Sequence, residues 1–168
     1  MKNIVPTNLK PIVFQTVIQY AEGNVDDANV IAGLMSTSAA NALLDDGGGP
    51  PASYSGLVFF KTDGDTVWQV ETSVGGTQTT TRLSALNSFD QLAKTAGGAA
   101  KQTLRIEFIP YTSTLADVMF YIDGVLVAKH LWTYTGAAAM SPVIGMKNGA
   151  ITTVETLNVY TAKLKTLR

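Results

Sequence analysis

The segment from Val118 to Ala128, Val-Met-Phe-Tyr-Ile-Asp-Gly-Val-Leu-Val-Ala, joins two apolar runs through Asp123-Gly124, and few folds accommodate it. A type I′ turn needs two consecutive residues at positive φ, and Asp-Gly supplies them at little strain. The twist of that turn matches paired antiparallel strands, so the pattern predicts a β-hairpin. Asp123 is then a turn former rather than an acid or a metal ligand.

Other strand signals surround this hairpin. Ile12–Tyr20 is rich in β-branched and aromatic residues, and Glu22-Gly23-Asn24 follows as a turn signal. Ala28–Met35 is a second apolar run. Ser55–Thr62, Asp65–Thr72 and Thr77–Arg82 read as a three-strand meander, linked by Asp63-Gly64 and Gly75-Gly76. In Lys101–Pro110, Leu104, Ile106 and Phe108 alternate with Arg105 and Glu107, the period of a half-buried strand. Pro142–Lys147 and Ala150–Tyr160, separated by Asn148-Gly149, predict a closing hairpin. Between these runs, Ser36–Pro51 reads as a long glycine-rich loop with one helical turn near Ala39–Leu44, and Phe89–Ala93 as a short helix. Some ten strands at short spacing give an all-β antiparallel sandwich over residues 12–168, preceded by an N-terminal arm, residues 1–11, able to reach a neighbour.

Composition narrows the function. Twelve basic and thirteen acidic residues are scattered over 168 positions, for a net charge of −1, so there is no electrostatic footprint for direct nucleic-acid binding. No run of about eighteen apolar residues suggests a membrane span. Cysteine is absent, which removes disulfides, thiolate metal sites and cysteine nucleophiles together. The N-terminal segment lacks the apolar core of a secretory signal. His130 is the sole histidine, so a histidine-pair metal site is excluded, and no Gly-x-Ser-x-Gly elbow accompanies it. It reads as a partly exposed strand residue.

The order of elements, with Leu104-Arg105-Ile106-Glu107-Phe108 followed ten residues later by Val118–Val127, resembles the concanavalin A-like, laminin-G-like jelly roll. Chain size, the absence of cysteine, the Thr/Ala/Gly-rich loops and the polar arm are further similar to tailed-bacteriophage capsid decoration (cement) proteins. That resemblance implies a non-enzymatic virion component on the capsid exterior, made in the host cytoplasm, that binds the major capsid protein and its own copies as a trimer. The alternative is a carbohydrate-binding or adhesin module on a fibre or tail, with a surface glycan as partner. A glycosidase is a third reading, but this fold's glycosidases carry paired carboxylates, as in Glu-x-Asp-x-x-Glu, and that motif is missing.

No catalytic, cofactor or metal residue is therefore expected. Asp26-Asp27, Asp45-Asp46, Asp63/Asp65 and Glu107 read as turn or surface acids, and Asp63-Gly64-Asp65 lacks the donors of a calcium loop. Trp68 reads as core. Trp132 and Tyr134, placed past the hairpin, are the aromatic candidates for a contact surface. Pro50 and Pro51 in the glycine-rich loop, and Asn3, Ile4 and Val5 in the arm, are the other candidate contacts.

Overall fold

Period-2 alternation organises the molecule. Ile12, Phe14, Thr16, Ile18 and Tyr20 point inward from the first strand, and Leu104, Ile106 and Phe108 from the sixth. The computed structural model describes residues 3–7, 10–23, 26–37, 39–45, 47–84, 96, 99–149 and 154–166. Its strands are β1 (Ile12–Ala21), β2 (Ala28–Met35), β3 (Gly56–Lys61), β4 (Gln69–Val74), β5 (Thr77–Arg82), β6 (Gln102–Pro110), β7 (Leu115–Ile122), β8 (Val125–Thr133), β9 (Ser141–Asn148) and β10 (Thr156–Thr166). They form two five-stranded antiparallel sheets, ordered β10-β1-β6-β7-β8 and β5-β4-β3-β2-β9. Among the described residues no helix is long and apolar enough to cross a membrane.

Aromatic side chains lock the sheets together. Phe59 of β3 meets Phe120 of β7 edge-on at 5.3 Å, and Trp68 stands edge-on to both Phe59 and Tyr20 at 6.2 and 6.1 Å. Trp68 is fully buried, as its sequence context suggests, and its indole N–H donates to Gln102 Oε1 at 3.0 Å. The second sheet is also covered on its far side. Ile31, Met35, Val58 and Phe60 point away from the first sheet and are buried beneath Ala42, Leu43 and Tyr54 of the 36–55 loop. This double coverage is why every residue of β2 is buried.

The Asp123-Gly124 turn forms as its sequence predicts, with φ of 51° and 82°. Asp123 also accepts the Thr103 N–H on Oδ1 at 2.8 Å and donates its own N–H to Thr103 O at 2.9 Å, tying the turn to β6. The β3-β4-β5 meander is present, but β4 starts only at Gln69. Asp65 Oδ1 accepts the Thr66 and Val67 N–H groups at 2.8 and 3.3 Å, which holds the preceding residues in a turn. The helical turn in the long loop is a 3-10 turn at Ala40–Ala42. The expected helix at Phe89–Ala93 lies outside the described residues.

Two expectations in this part of the chain, the closing hairpin and the exposure of His130, require correction, and the arm finds a partner in its own chain. The segments around Asn148-Gly149 are not a hairpin: β9 pairs with β2 (Ala28↔Asn148 to Met35↔Ser141), and β10 pairs with β1 in the other sheet (Ile12↔Thr166 to Ala21↔Thr156). Each final strand satisfies the open side of a strand already paired on its other side. The arm, in its described part, is anchored to its own chain at Asn3 and Ile4, with Val5 53% exposed. Ile4 exchanges two backbone hydrogen bonds with Met140, at 2.8 and 2.7 Å, and Asn3 Oδ1 accepts from Ser141 Oγ at 2.7 Å. His130, finally, is buried. It faces inward from β8, with Nδ1 3.2 Å from Thr72 Oγ1 and Nε2 2.9 Å from Thr81 Oγ1, so its ring bridges β8 to β4 and β5.

Burial pulls the His130 pKa down from 6.5 to about 4. The unfolded chain therefore takes up this proton first as pH falls. The stability His130 contributes is complete above pH 6.5 and is lost as pH drops towards 4. Between pH 7 and pH 5 the loss amounts to about 2 kcal/mol. Urea unfolding of the native protein and of H130Q should show it: the gap between them narrows by about that amount on acidification. Parallel pH profiles for the two proteins would show that the buried imidazole is not what titrates.

Candidate functional site

Strands β4 and β5 turn polar side chains outward on alternate positions. Their register sets Gln69 opposite Arg82, Glu71 opposite Thr80 and Ser73 opposite Gln78, which makes a polar ladder on the far face of the second sheet. The apolar cover formed by the 36–55 loop ends beside it. Between the two lies a groove of about 280 Å³, walled by Gly47–Pro50, with Phe60 at its base and Thr62, Gln69, Glu71, Gln78 and Thr80 along the strands. Gly49, at a φ of +67°, packs so close that an added Cβ would lie 3.3 Å from the Phe60 ring. A larger residue there would push the wall off the base.

Glu71 organises the ladder. Its Oε1 accepts from Tyr54 Oη at 2.6 Å and from Gln78 Nε2 at 2.9 Å, and its Oε2 accepts the Thr80 hydroxyl. Gln78 Nε2 also donates to the Pro51 carbonyl at 3.0 Å, which fastens the loop to β5. Burial above all, then the charge and hydrogen bond of Glu71, push the Tyr54 phenol far above its ordinary range, so it remains a donor. At the end of the ladder Asp65 accepts from Arg82 Nε and Nη2 at 2.9 and 2.6 Å and from Gln69 Nε2 at 3.1 Å. Burial works to raise the Asp65 carboxyl, but the Arg82 guanidinium with the Val67 and Thr66 amides outweighs it, and the pKa lies below the ordinary value.

The residues singled out from sequence are dispersed. Trp132 and Tyr134 are 4% exposed and pack edge-on against Phe108 at 5.8 and 5.1 Å, so they belong to the core and present no contact surface. Strand β8 runs on past the point where the sequence suggests a loop, and its inward positions include both His130 and Trp132. Pro50 is in the groove wall, and Pro51 supplies the carbonyl that Gln78 holds. Asn3, Ile4 and Val5 line a separate cavity of about 370 Å³ together with Lys10, Ile12 and Leu164. Asp63 and Asp65 diverge: the Asp63 N–H donates to Asn29 Oδ1, while Asp65 pairs with Arg82. Among the described residues no group of three or more His, Cys, Asp or Glu side chains is placed to hold a metal ion. Gln69, Glu71, Gln78 and Thr80 were not among the sequence candidates. Their signal is the polar alternation Gln69-x-Glu71-x-Ser73 and Gln78-x-Thr80-x-Arg82 on either side of Gly75-Gly76.

No protein-family model matches the sequence, and no curated protein does. Solved structures similar to the chain include the carbohydrate recognition domain of Emp46p in a metal-free form, at a TM-score of 0.58 and 14% identity. A single-residue mutant of that domain gives a TM-score of 0.60 at 15% identity, and the carbohydrate recognition domain of Emp47p gives 0.58 at 13%. In all three the match covers 97% of this chain and 73% of the other. At such identities the likeness establishes architecture: the chain is a concanavalin A-like β-sandwich.

Removing the Glu71 carboxylate leaves the buried Tyr54 hydroxyl without its acceptor, while Gln78 and Thr80 are exposed and can turn to water, and an unmet buried donor costs about 1–3 kcal/mol. E71A should lose stability in that range by urea unfolding, whereas E71Q, which keeps a carbonyl acceptor, should lose less. An unchanged midpoint for E71A would mean that water takes over the carboxylate's role.

Proposed function

We propose that this protein is a carbohydrate-binding domain that holds a saccharide in the groove between the Gly47–Pro50 loop and strands β4 and β5, and that it binds without turnover. The observation that carries the reading is the polar ladder along the groove, since Gln69, Gln78 and Thr80 together offer hydrogen-bonding partners to the hydroxyl groups of a sugar. The side chains along the groove are held in place before any ligand arrives: Gln78 by Glu71 and Pro51, Thr80 by Glu71, Gln69 by Asp65. Preorganisation of this kind lowers the entropy cost of binding. The architecture shared with carbohydrate recognition domains supports the same reading.

The carboxylate count supports binding without turnover. Among the described residues lining the groove Glu71 is the single carboxylate, whereas glycosidases use a pair. The reading as a shell-decorating protein draws on chain size, the absence of cysteine, loop composition and the polar arm, and has no neighbouring structure behind it; Asn3 and Ile4 of that arm are engaged with Ser141 and Met140 of the same chain.

The test is a glycan array followed by calorimetry on whichever saccharides bind. Loss of the Gln78 carboxamide removes a hydrogen bond to the ligand and the tie to the loop, and Q78A should weaken binding by about tenfold or more. An array on which no saccharide is retained, or binding that Q78A leaves untouched, would overturn the assignment of this groove.

A further inference from the structure

Hydrogen-bond polarity in the groove is one-sided, and it restricts what kind of sugar fits. Both protons of the Gln78 carboxamide are engaged, one with Glu71 Oε1 and one with the Pro51 carbonyl. Each of those partners is an acceptor, so the orientation of the amide is fixed and Oε1 is the atom left for a ligand. The Thr80 hydroxyl has a single proton, and it goes to Glu71 Oε2. Thr80 therefore offers a ligand only lone pairs. Gln69 has one amide proton committed to Asp65 and turns its carbonyl oxygen and its second proton to a ligand, and the Thr62 hydroxyl can donate or accept, so the donors on this side are fewer than the acceptors. The strand side of the groove is thus dominated by acceptors.

Charge acts in the same direction. Glu71 carries its negative charge against the groove, and Arg82, the cation beside it on the ladder, is tied at two nitrogens to Asp65. Among the described residues that line the groove there is no lysine or arginine. A carboxylate or sulfate on a ligand would bring acceptors against acceptors and a negative charge towards another.

We infer that the groove selects neutral, hydroxyl-rich saccharides, whose O–H groups donate to Gln78, Thr80 and Gln69, and rejects uronic-acid and sulfated saccharides. This rests on the carbohydrate-binding reading above. Glu71 is the positioning residue of this selectivity: it turns the protons of Gln78 and Thr80 away from the ligand and sets the sign of the field. In E71Q the charge is gone, and the new carboxamide donates to Thr80, which frees the Thr80 proton to point into the groove. Thr80 changes from acceptor to donor without loss of a side chain.

The experiment compares neutral oligosaccharides with their uronate and sulfated counterparts, by array and then by calorimetry, on the native protein and on E71Q. The native protein should bind neutral members at least tenfold more tightly than acidic ones, and E71Q should bring the ratio close to one while melting cooperatively. Acidic saccharides bound as tightly as neutral ones by the native protein, with that binding lost in Q78A, would overturn the selectivity and leave the carbohydrate-binding reading intact. Retention of no saccharide would overturn both. Should E71Q fail to fold, T80V serves instead. It removes one acceptor and keeps the charge, so it should weaken neutral ligands severalfold without admitting acidic ones, and unaltered neutral binding would count against Thr80 as a contact.

Discussion

The structure depends on the second sheet being apolar on both faces. Val30, Leu34, Leu57 and Phe59 of β2 and β3 face the first sheet, while Ile31, Met35, Val58 and Phe60 face the other way. A solvent-exposed outer face would forfeit about 1.5–3 kcal/mol for each such side chain left unburied. The 36–55 loop is therefore bound to lie across it, and Ala42, Leu43 and Tyr54 complete a second small core. The groove is the rim of that cover. It opens where the apolar surface ends, at Phe60, and the polar ladder of β4 and β5 begins.

Two carboxylates on this face are stabilised in different ways. Asp65 is matched by a guanidinium in bidentate contact, which neutralises it and makes it structural. Glu71 is surrounded by neutral donors from Tyr54, Gln78 and Thr80, so its hydrogen-bonding needs are met while its charge is not cancelled. The contrast divides the ladder into an electrically quiet end and a negative end, within two strands of one meander.

Local signals in the sequence carried most of the fold. Turn chemistry at Asp123-Gly124 and the alternation in Ile12–Tyr20 and Leu104–Phe108 depend on neighbours a few positions away, and the strands stand where those signals put them. Partner choice is a different matter. Asn148-Gly149 looks like a hairpin turn, yet β9 and β10 belong to different sheets, because the edges they complete are supplied by β2 and β1, far away in sequence. Trp132 shows a signal that was present but cut short: Ala128, His130, Trp132 and Tyr134 keep one period-2 face beyond the hairpin, and all four are buried. The groove was least legible. It joins a glycine-rich loop to a hairpin some twenty residues on, and tertiary contacts bring them together: the packing of Phe60 under Gly49 and the hydrogen bonds of Gln78 to Pro51 and Tyr54 to Glu71.

Strand β1 lies between β6 and β10, with Ile12 facing Phe108 on one side and Thr166 on the other. During synthesis β1 thus leaves the ribosome as a strand with two bare edges, and it acquires its first partner only when β6 has been made and its second only with β10. Long-range pairing of this kind folds slowly, since the loops to be closed are long. Over that interval an apolar, β-branched segment is open to strands of other nascent chains. Yield in a cell then depends on how well that one segment is kept from foreign partners as well as on the final stability of the sandwich.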